Sequence, residues 1–188
     1  FEECTNLISA TLGNVTDMGE SGDGAFEGCK NLKSVKFSAG TTVIGSRAFY
    51  GCSALSSIDL GGSVKHIPDE AFYGCSSLET FLNFKNVVSI GKKSFYGCTK
   101  IKQLDFENSL VSIGESAFAS CTSLEKFVLG SRAEKISLKA FQGCTSLKSI
   151  SLGNNVSYIG YDAFLNSGYY NSSENWENDI LYIGQYLI

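Results

Sequence analysis

The chain has few of the residues on which catalytic and metal sites depend. It contains one histidine, one proline, one methionine and one tryptophan in 188 residues. Because His66 is the only histidine, no Ser-His-acid constellation can recur along the chain, and its neighbours Lys65 and Pro68 form no nucleophile motif. No G-x-G-x-x-G or phosphate loop occurs either. We therefore predict a protein that is not an enzyme and that uses no cofactor.

Excess positive charge and long apolar runs are also absent. The net charge is −4 and the isoelectric point is near 5.0, so no basic stripe is offered to a phosphate backbone. No apolar run approaches the roughly 18 residues that a membrane span needs. We expect neither a nucleic-acid partner nor membrane insertion by this segment. With 43% hydrophobic and 18% charged residues, the composition is that of a globular protein.

The cysteines, in contrast, are numerous and regularly spaced. They stand at Cys4, Cys29, Cys52, Cys75, Cys98, Cys121 and Cys144, with one step of 25 residues followed by five of 23. A phenylalanine three places before each later cysteine keeps the same spacing, from Phe26 to Phe164, where Ser167 replaces the cysteine. A repeat of about 20 to 29 residues predicts a solenoid of stacked coils.

Each repeat begins with a pattern typical of a short strand, L-x-x-I-x-L. In the unit "LSSIDLGGSVKHIPDEAFYGCSS", Leu55, Ile58 and Leu60 have the spacing of side chains that face a core. Ser57 and Asp59, which lie between them, must then face outward. The pattern therefore predicts one strand per coil, with its alternate side chains exposed.

The rest of the unit predicts two further sides of each coil. Val64 and Ile67 indicate a second extended segment, and Ala71, Phe72 and Cys75 indicate one helical or 3₁₀ turn. Burying about five apolar side chains contributes roughly 7–15 kcal/mol per unit. Ordering the backbone costs about 1–2 kcal/mol per residue, so a single unit is unstable and needs neighbouring coils.

Residues 1–168 are predicted to form one array of these repeats, and residues 169–188 a non-repeat cap or connector. "FEEC" at the start matches the second half of a unit, so the array begins in mid-repeat and we expect the chain to be part of a longer one. No signal peptide is visible. Gly184 and Gln185 lie between "LYI" and "YLI", which predicts a hairpin at 181–188.

Two units depart from the pattern. The first unit is two residues longer than the others, and its "GESGDG" segment predicts a flexible bulge. In the unit that begins at Leu78, Asn83 takes the place of an inward leucine and is followed by Phe84. We expect an irregular strand that turns Phe84 inward, with a buried, hydrogen-bonded Asn83 as the alternative.

The shared pattern, for example in "LVSIGESAFASCTSLEKFVL", resembles the BspA-like class of leucine-rich repeats, which occur in surface proteins of bacteria and some protozoa. The resemblance covers about residues 1 to 168. It implies an α/β-type repeat solenoid, curved and right-handed, with a continuous parallel sheet on the concave side and short extended segments and helical or 3₁₀ turns elsewhere. It also implies a secreted or cell-surface location and a role in adhesion.

Two functions are compatible with this interpretation. The first is a non-catalytic cell-surface or secreted module that binds proteins, with adhesion to host, matrix or other cell-surface proteins as its role. The alternative is an intracellular scaffold for protein–protein interactions. A signal peptide, sorting signal or membrane anchor in the full gene would distinguish the two.

The cysteines and a column of tyrosines have competing interpretations. Ligands of a metal must converge on a point, whereas these cysteines line up along an axis, so we predict reduced, buried thiols that are not paired with one another. Tyr50, Tyr73 and Tyr96 share one repeat position and should stack. Each ring either only covers its neighbour or belongs to an aromatic stripe that binds a protein or a glycan.

The candidate partner-binding residues are therefore outward strand positions and the tyrosine column. The sheet measures roughly 550 Å² in projection, less than the roughly 800 Å² that each partner of a standard interface buries. We expect weak binding by this segment alone. The candidates are Lys36, Asp59, Thr80, Leu82, Gln103, Asp105, Lys126, Tyr50, Tyr73 and Tyr96.

Overall fold

The L-x-x-I-x-L segments form the front sheet of a solenoid. The computed structural model describes residues 1–15, 24–178, 180–183 and 186–187. Leu55, Ile58 and Leu60 have no exposed surface, as the alternation predicted. Equivalent residues of successive coils pair in parallel, for example Ile58 with Phe81. The front strands are β1 (Ser9–Leu12), β2 (Ser34–Phe37), β3 (Ser57–Asp59), β5 (Thr80–Leu82), β7 (Gln103–Asp105), β9 (Lys126–Val128) and β11 (Ser149–Ser151).

A second parallel sheet runs along another side of the coils. Val64 and Ile67, the residues that predicted it, are both buried. Each of its strands has two residues, and each pairs with the equivalent segment of the next coil. The strands are β4 (His66–Ile67), β6 (Ser89–Ile90), β8 (Ser112–Ile113), β10 (Lys135–Ile136) and β12 (Tyr158–Ile159).

The A-F-x-G-C segment forms a hydrogen-bonded turn, and the expected helical or 3₁₀ turn is wrong here. The backbone at Arg47 is left-handed, with φ of 59°, and residues at the same position in later coils share this conformation. As a result, alternate N–H groups point in different directions. Tyr50 N donates to Arg47 O within the coil at 2.9 Å, whereas Phe49 N donates to Ala71 O of the next coil at 2.8 Å. The turns therefore form a third ladder between coils.

Stacked phenylalanines and small thiols fill the core under this turn. Successive rings from Phe1 to Phe164 lie nearly parallel, with centroids 5.1–5.4 Å apart. The cysteines from Cys29 to Cys144 are buried, which confirms their predicted burial, and none of them is paired in the structure. Their reduced state stays a prediction. Ser167 continues the column in the last coil and is also buried.

The front sheet is interrupted after β5, where the resemblance implied one continuous sheet. Among the described residues, β5 pairs only with β3, and β7 pairs only with β9. Asn83 is exposed and left-handed, with φ of 57°, so the chain turns directly after Leu82. Phe84 packs instead against Phe81 and Phe106, with ring centroids 5.1 and 5.0 Å away. The expected irregularity is present, and the alternative of a buried Asn83 is wrong.

The C-terminal residues form a small antiparallel sheet after the last coil. A 3₁₀ turn (Ser173–Asn175) leads into β13 (Trp176–Glu177), which pairs with β14 (Ile180–Ile183), and β14 pairs in turn with β15 (Tyr186–Leu187). Ile183 joins the hydrophobic core. The predicted turn at Gly184 and Gln185 lies outside the described residues, as does most of the "GESGDG" bulge. The boundary at residue 168 stays a prediction.

Candidate partner-binding surfaces

The outward side chains of the front strands form a surface that we call the front face. It carries seven of the candidate residues: Lys36, Asp59, Thr80, Leu82, Gln103, Asp105 and Lys126. All are exposed except Asp59, which is half-buried. Its carboxylate accepts hydrogen bonds from Asn83 Nδ2 at 2.6 Å and from the Gly61 amide at 2.9 Å. The Asn83 bond, followed by the Gly61 bond, lowers the pKa of Asp59 below its ordinary value of 3.8, so this residue is a fixed negative charge.

The interruption after β5 divides the front face into two parts. In the first part, Lys36 lies beside Asp59, and Asp59 lies beside Leu82, in neighbouring strands. In the second part, Gln103 lies beside Lys126. The structure thus brings the upstream four candidates together on one sheet and the downstream three on another. No strand pairing joins the two groups within the described chain.

The first part also carries an exposed apolar side chain. Leu82 has 47% of its surface exposed, although it lies in the middle of the solenoid. Its neighbours in register are the charged Asp59 and, one strand further, Lys36. An apolar residue surrounded by charged and hydroxyl groups is a common composition for a small protein-binding patch.

The tyrosine column lies on the turn side of the solenoid. The Tyr50 and Tyr73 rings stack at 4.7 Å between centroids and 6° between planes, and Tyr73 and Tyr96 stack at 4.9 Å and 4°. All three rings are half-buried. Desolvation, together with the neighbouring Tyr50 and Tyr96, raises the pKa of Tyr73 above its ordinary value of 10.0, so the phenol stays neutral.

Arg47 closes the upstream end of this column. Its guanidinium lies 4.0 Å from the centre of the Tyr50 ring. The same group forms ion pairs with Glu27 and, at 2.8 Å, with Glu70. The hydrogen bond from Arg47 lowers the pKa of Glu27. The guanidinium is thus fixed between two coils and covers the outer face of the first ring.

This geometry determines what the column can offer to a partner. Tyr73 has a tyrosine on each face, and Tyr50 has Tyr73 on one face and Arg47 on the other. Sugars and flat groups bind to ring faces. Both faces of Tyr50 and Tyr73 are covered, whereas Tyr96 has a tyrosine on one face only. Ring edges and phenol hydroxyls remain for outside contacts. The rings do cover one another, as the first interpretation expected, while their role in binding a partner stays a prediction.

The buried thiols donate hydrogen bonds to backbone carbonyl groups and are held in their neutral form. Cys98 Sγ donates a hydrogen bond to Phe72 O of the preceding coil at 3.1 Å, and the same bond recurs in the neighbouring coils. Burial raises the pKa of Cys52 and of Cys144 to about 12, since a thiolate would lose its solvation. Thiols held neutral in this way are poor nucleophiles and poor metal ligands. Within the described ranges, no group of three or more metal-ligating side chains converges.

His66 lies on the outer side of the second sheet. It is exposed, and its Nδ1 lies 2.7 Å from Ser89 Oγ.

Sequence reasoning missed one further region, at the last coil. Tyr161 and Tyr158 have 78% and 51% of their surface exposed. Tyr161 lines a cleft of about 420 Å³ together with Tyr170 and Trp176. The exposure of Tyr158 and Tyr161 could have been predicted from the sequence, because both occupy outward positions of the final repeat. The cleft could not, because it depends on the tail, which has no repeat pattern.

Comparison with known proteins agrees with this architecture. The model of the BspA type leucine rich repeat region, in 6 copies, matches residues 1–87 and 80–187. The chain therefore belongs to the BspA-type leucine-rich repeat family. No match was found among the curated proteins.

Solved structures of two bacterial proteins share the fold. One is a leucine rich cell surface protein from Faecalibacterium prausnitzii, with a TM-score of 0.72 and 23% identity over 92% of this chain and 50% of that protein. The other is a leucine rich repeat protein from T. pallidum, with a TM-score of 0.59 and 24% identity over 85% of this chain and 76% of that protein. This chain thus spans about half the length of the F. prausnitzii protein.

The described residues include no helix of the length and apolarity that crossing a membrane requires.

Proposed function

We propose that this chain is a non-catalytic protein-binding module of a secreted or cell-surface protein, and that its role is adhesion to host, matrix or other cell-surface proteins. The observation that carries the proposal is the front face, where a rigid parallel scaffold presents mixed polar, charged and apolar side chains at fixed register. Membership of the BspA-type family supports it. A relative of the same fold is described as a cell surface protein, which supports the location.

Binding through this surface rests on many weak contacts. The two sheet pieces have four and three strands, each of three or four residues. Together they cover roughly 400 Å² in projection, about half of what one partner in a standard interface buries. Useful affinity therefore requires the tyrosine column as well, further repeats, or several copies that act together.

The tyrosine column adds a second contact surface on the turn side. Because both ring faces of Tyr50 and Tyr73 are covered, the column offers chiefly hydroxyl groups, which are spaced like the coils. Such a row matches hydrogen-bonding groups on a protein better than it matches the flat face of a sugar. We therefore assign the column to protein ligands rather than to glycans.

Two sets of substitutions test the proposal. Thr80, Leu82, Gln103 and Asp105 are replaced by lysine in one variant, and Tyr50, Tyr73 and Tyr96 by serine in another. A control variant carries lysine at Ser89 and Ser112 on the second sheet. We expect both test variants to lose at least about tenfold in binding to immobilised matrix proteins and intact cells, and the control to keep its binding. Equal binding by all three variants would show that other surfaces are responsible.

The location is tested separately on the organism's own cells. An antibody against the chain should label intact cells, or detect the chain in the medium. Labelling only after permeabilisation would favour the intracellular scaffold instead.

A further inference from the structure

A groove runs along one flank of the solenoid, between the ends of the front strands and the starts of the strands of the second sheet. Its volume is about 710 Å³, and its lining extends from Thr42 in one coil to Arg132 four coils later. Every residue that lines it is exposed or half-buried, so the groove is open to a ligand along its length. We call this feature the flank groove.

Two rows of outward side chains border the flank groove, one along each side. The rows occupy repeat positions two residues apart, as Ser63 and Lys65 do, so both face outward from the same extended segment. The position between them is buried, as Val64 is in this coil, and attaches the segment to the core. The first row is Ser63, Asn86, Ser109 and Arg132, and the second includes Thr42, Lys65 and Val88.

The neutral polar side chains of the first row use donors within the solenoid. Asn86 Nδ2 donates to Gly62 O of the preceding coil at 2.6 Å, and Ser109 Oγ donates to Phe106 O at 2.9 Å. Ser63 Oγ likewise donates to a carbonyl of the preceding coil. The side-chain oxygens keep lone pairs that these bonds do not use. The row therefore presents one acceptor per coil to a ligand that supplies donors.

Two cations of the flank groove have no partner within the described chain. Lys65 and Arg132 are exposed, and neither side chain forms an ion pair or a hydrogen bond with a described residue. Lys85, outside the lining, is in contrast paired with Glu107. Glu134 follows Arg132 by two residues but does not line the groove. The lining thus carries two positive charges and no negative one, which favours an anionic ligand.

The cations and acceptors are spaced for a linear ligand. Neighbouring coils repeat at about 4.7–4.9 Å, so Lys65 and Arg132, three coils apart, are separated by roughly 14 Å along the array. The acceptors of Ser63, Asn86 and Ser109 follow one another at one coil each. One ring of a 1,4-linked sugar chain advances by about one coil, whereas groups on the same side of an extended peptide are about 6.6–6.8 Å apart. The spacing favours a sugar chain.

We propose that the flank groove binds a linear acidic polysaccharide, a chain of 1,4-linked uronic acid residues, with one ring in each coil. The carboxylate of one ring pairs with Lys65, and that of the third ring after it pairs with Arg132. Successive rings of an extended 1,4-linked chain are turned over, so these two carboxylates point to opposite sides, as the two cations on opposite rows require. Ring hydroxyls donate to Ser63, Asn86 and Ser109.

This recognition depends on charge and hydroxyl groups. None of the residues that line the flank groove is aromatic, so no ring of the protein stacks on the sugars. The groove is also separate from the front face and from the tyrosine column. The proposal therefore goes beyond the protein-binding role of those surfaces, and the failure of one would leave the other standing.

A hexamer of galacturonic acid tests the site. Calorimetry with the whole chain at low ionic strength should give a dissociation constant below about 1 mM. Lys65→Gln together with Arg132→Gln should weaken binding at least about tenfold. The control, Lys100→Gln with Lys148→Gln, removes the same charge from exposed lysines outside the groove and should leave binding within about twofold. Absence of binding, or an equal loss in the two double variants, would overturn the proposal.

Two further probes of the same length identify what the groove recognises. Capped hexaglutamate carries the carboxylates without sugar hydroxyls, and a hexamer of 1,4-linked glucose carries the hydroxyls without the charges. Each should bind at least about tenfold more weakly than hexagalacturonate. Equal binding by hexaglutamate would assign the groove to acidic peptides, and equal binding by the glucose hexamer would mean that the cations are not used. Either result contradicts the proposal.

One substitution should act in the opposite direction. The carboxylate of Glu134 repels an anionic ligand at the Arg132 end, so Glu134→Gln should strengthen binding of hexagalacturonate at least about twofold. Glu125→Gln removes an exposed carboxylate that does not line the groove, and it should have a smaller effect. Unchanged or weaker binding by Glu134→Gln would show that the sugar chain does not reach Arg132 and would overturn the proposal.

Discussion

Cys98 Sγ donates a hydrogen bond to the carbonyl oxygen of Phe72, one coil earlier, at 3.1 Å. The same carbonyl also accepts from the Cys75 amide at 3.1 Å. A thiol at this position therefore satisfies the second lone pair of a buried carbonyl and is small enough to fit between stacked phenylalanines. This contact explains why one cysteine recurs per coil without any disulfide or metal.

The first prediction concerns the accessibility of the thiols. In the native protein, a maleimide should label Cys4 alone within minutes, because Cys4 is exposed and the other six are buried. After denaturation without reductant, mass spectrometry should show all seven thiols labelled. A pair that stays unlabelled after denaturation would indicate a disulfide and contradict the ladder of reduced thiols.

The same burial predicts a loss of stability at alkaline pH. The pKa of the Cys52 thiol is raised by burial from 9.0 to about 12, so above pH 9 the unfolded chain gives up a proton that the folded chain keeps. The contribution of each such thiol to the free energy of unfolding is fully present below about pH 9. Above that pH the free energy of unfolding falls by about 1.4 kcal/mol per pH unit for each thiol, until the pH passes the pKa of the folded state.

Urea unfolding at pH 7.5, 9 and 10.5 measures this effect. Cys52→Ala should lose less stability than the wild type between pH 9 and 10.5, by about 2 kcal/mol, since the other titrating groups are common to both proteins. Parallel pH profiles for the two proteins would show that burial of the thiol does not raise its pKa.

The core and the surface of each coil should respond differently to truncation. Phe118 is fully buried, and its ring meets those of Phe95 and Phe127 at 5.1 Å and that of Phe141 at 5.4 Å. Phe118→Ala should cost about 3–5 kcal/mol of unfolding free energy. Ser149→Ala, at an exposed strand position, should change it by less than about 0.5 kcal/mol. Similar losses from both substitutions would mean that the assigned register is wrong.

Close approach of neighbouring coils makes some glycines irreplaceable. A Cβ added to Gly114 would lie 2.5 Å from the carbonyl carbon of Gly91. This atom belongs to the backbone of the preceding coil, so it cannot move aside as a side chain could. Gly114→Ala should therefore cost at least about 2 kcal/mol. Gly97 has open space around it but φ of 71°, so Gly97→Ala should cost only about 1–2 kcal/mol from backbone strain. An equal or smaller cost at Gly114 in chemical denaturation would contradict the close packing of coils.

Introducing a glycine, the reverse of the glycine-to-alanine change, should stabilise one coil. Ser120 stands where most coils have glycine and keeps the left-handed backbone, with φ of 62°. Ser120→Gly should raise the free energy of unfolding by about 1 kcal/mol, because glycine adopts this conformation without strain. Asn166→Gly, at the same position of the last coil, is the comparison and should gain less, since asparagine tolerates a left-handed backbone better than serine. A loss of stability in Ser120→Gly would show that the serine side chain contributes more than the strain costs.

The sequence predicted the parts of the fold that depend on spacing. Inward residues such as Leu55 and Val64, and the buried thiols, follow from a period that repeats in every unit. The conformation at Arg47 was not predictable in the same way. The left-handed residues at this position, from Arg47 to Asp162, are arginine, glutamate, lysine, serine and aspartate rather than glycine. No residue type at this position therefore indicates a left-handed backbone. Hydrogen bonds to the next coil, which are not local in sequence, decide it.

The candidate surfaces were predictable to different extents. The stacking of Tyr50, Tyr73 and Tyr96 follows from their shared repeat position, whereas the position of Arg47 over the Tyr50 ring depends on ion pairs with two other coils. Asn83 indicated an irregular strand, but the loss of pairing between β5 and β7 requires knowledge of how two coils fit together. The cleft beside Trp176 depends on a tail without repeats and gave no periodic signal.

The most direct test of the account compares single and clustered copies of the chain on one ligand surface. The monomer and a tetramer that displays four copies are each passed over immobilised matrix proteins, together with the variants of the front face and of the tyrosine column. The account predicts weak binding by the monomer, a gain of at least about 100-fold in apparent affinity for the tetramer, and loss of that gain in both variants. Tight binding by the monomer that survives both sets of substitutions would contradict it.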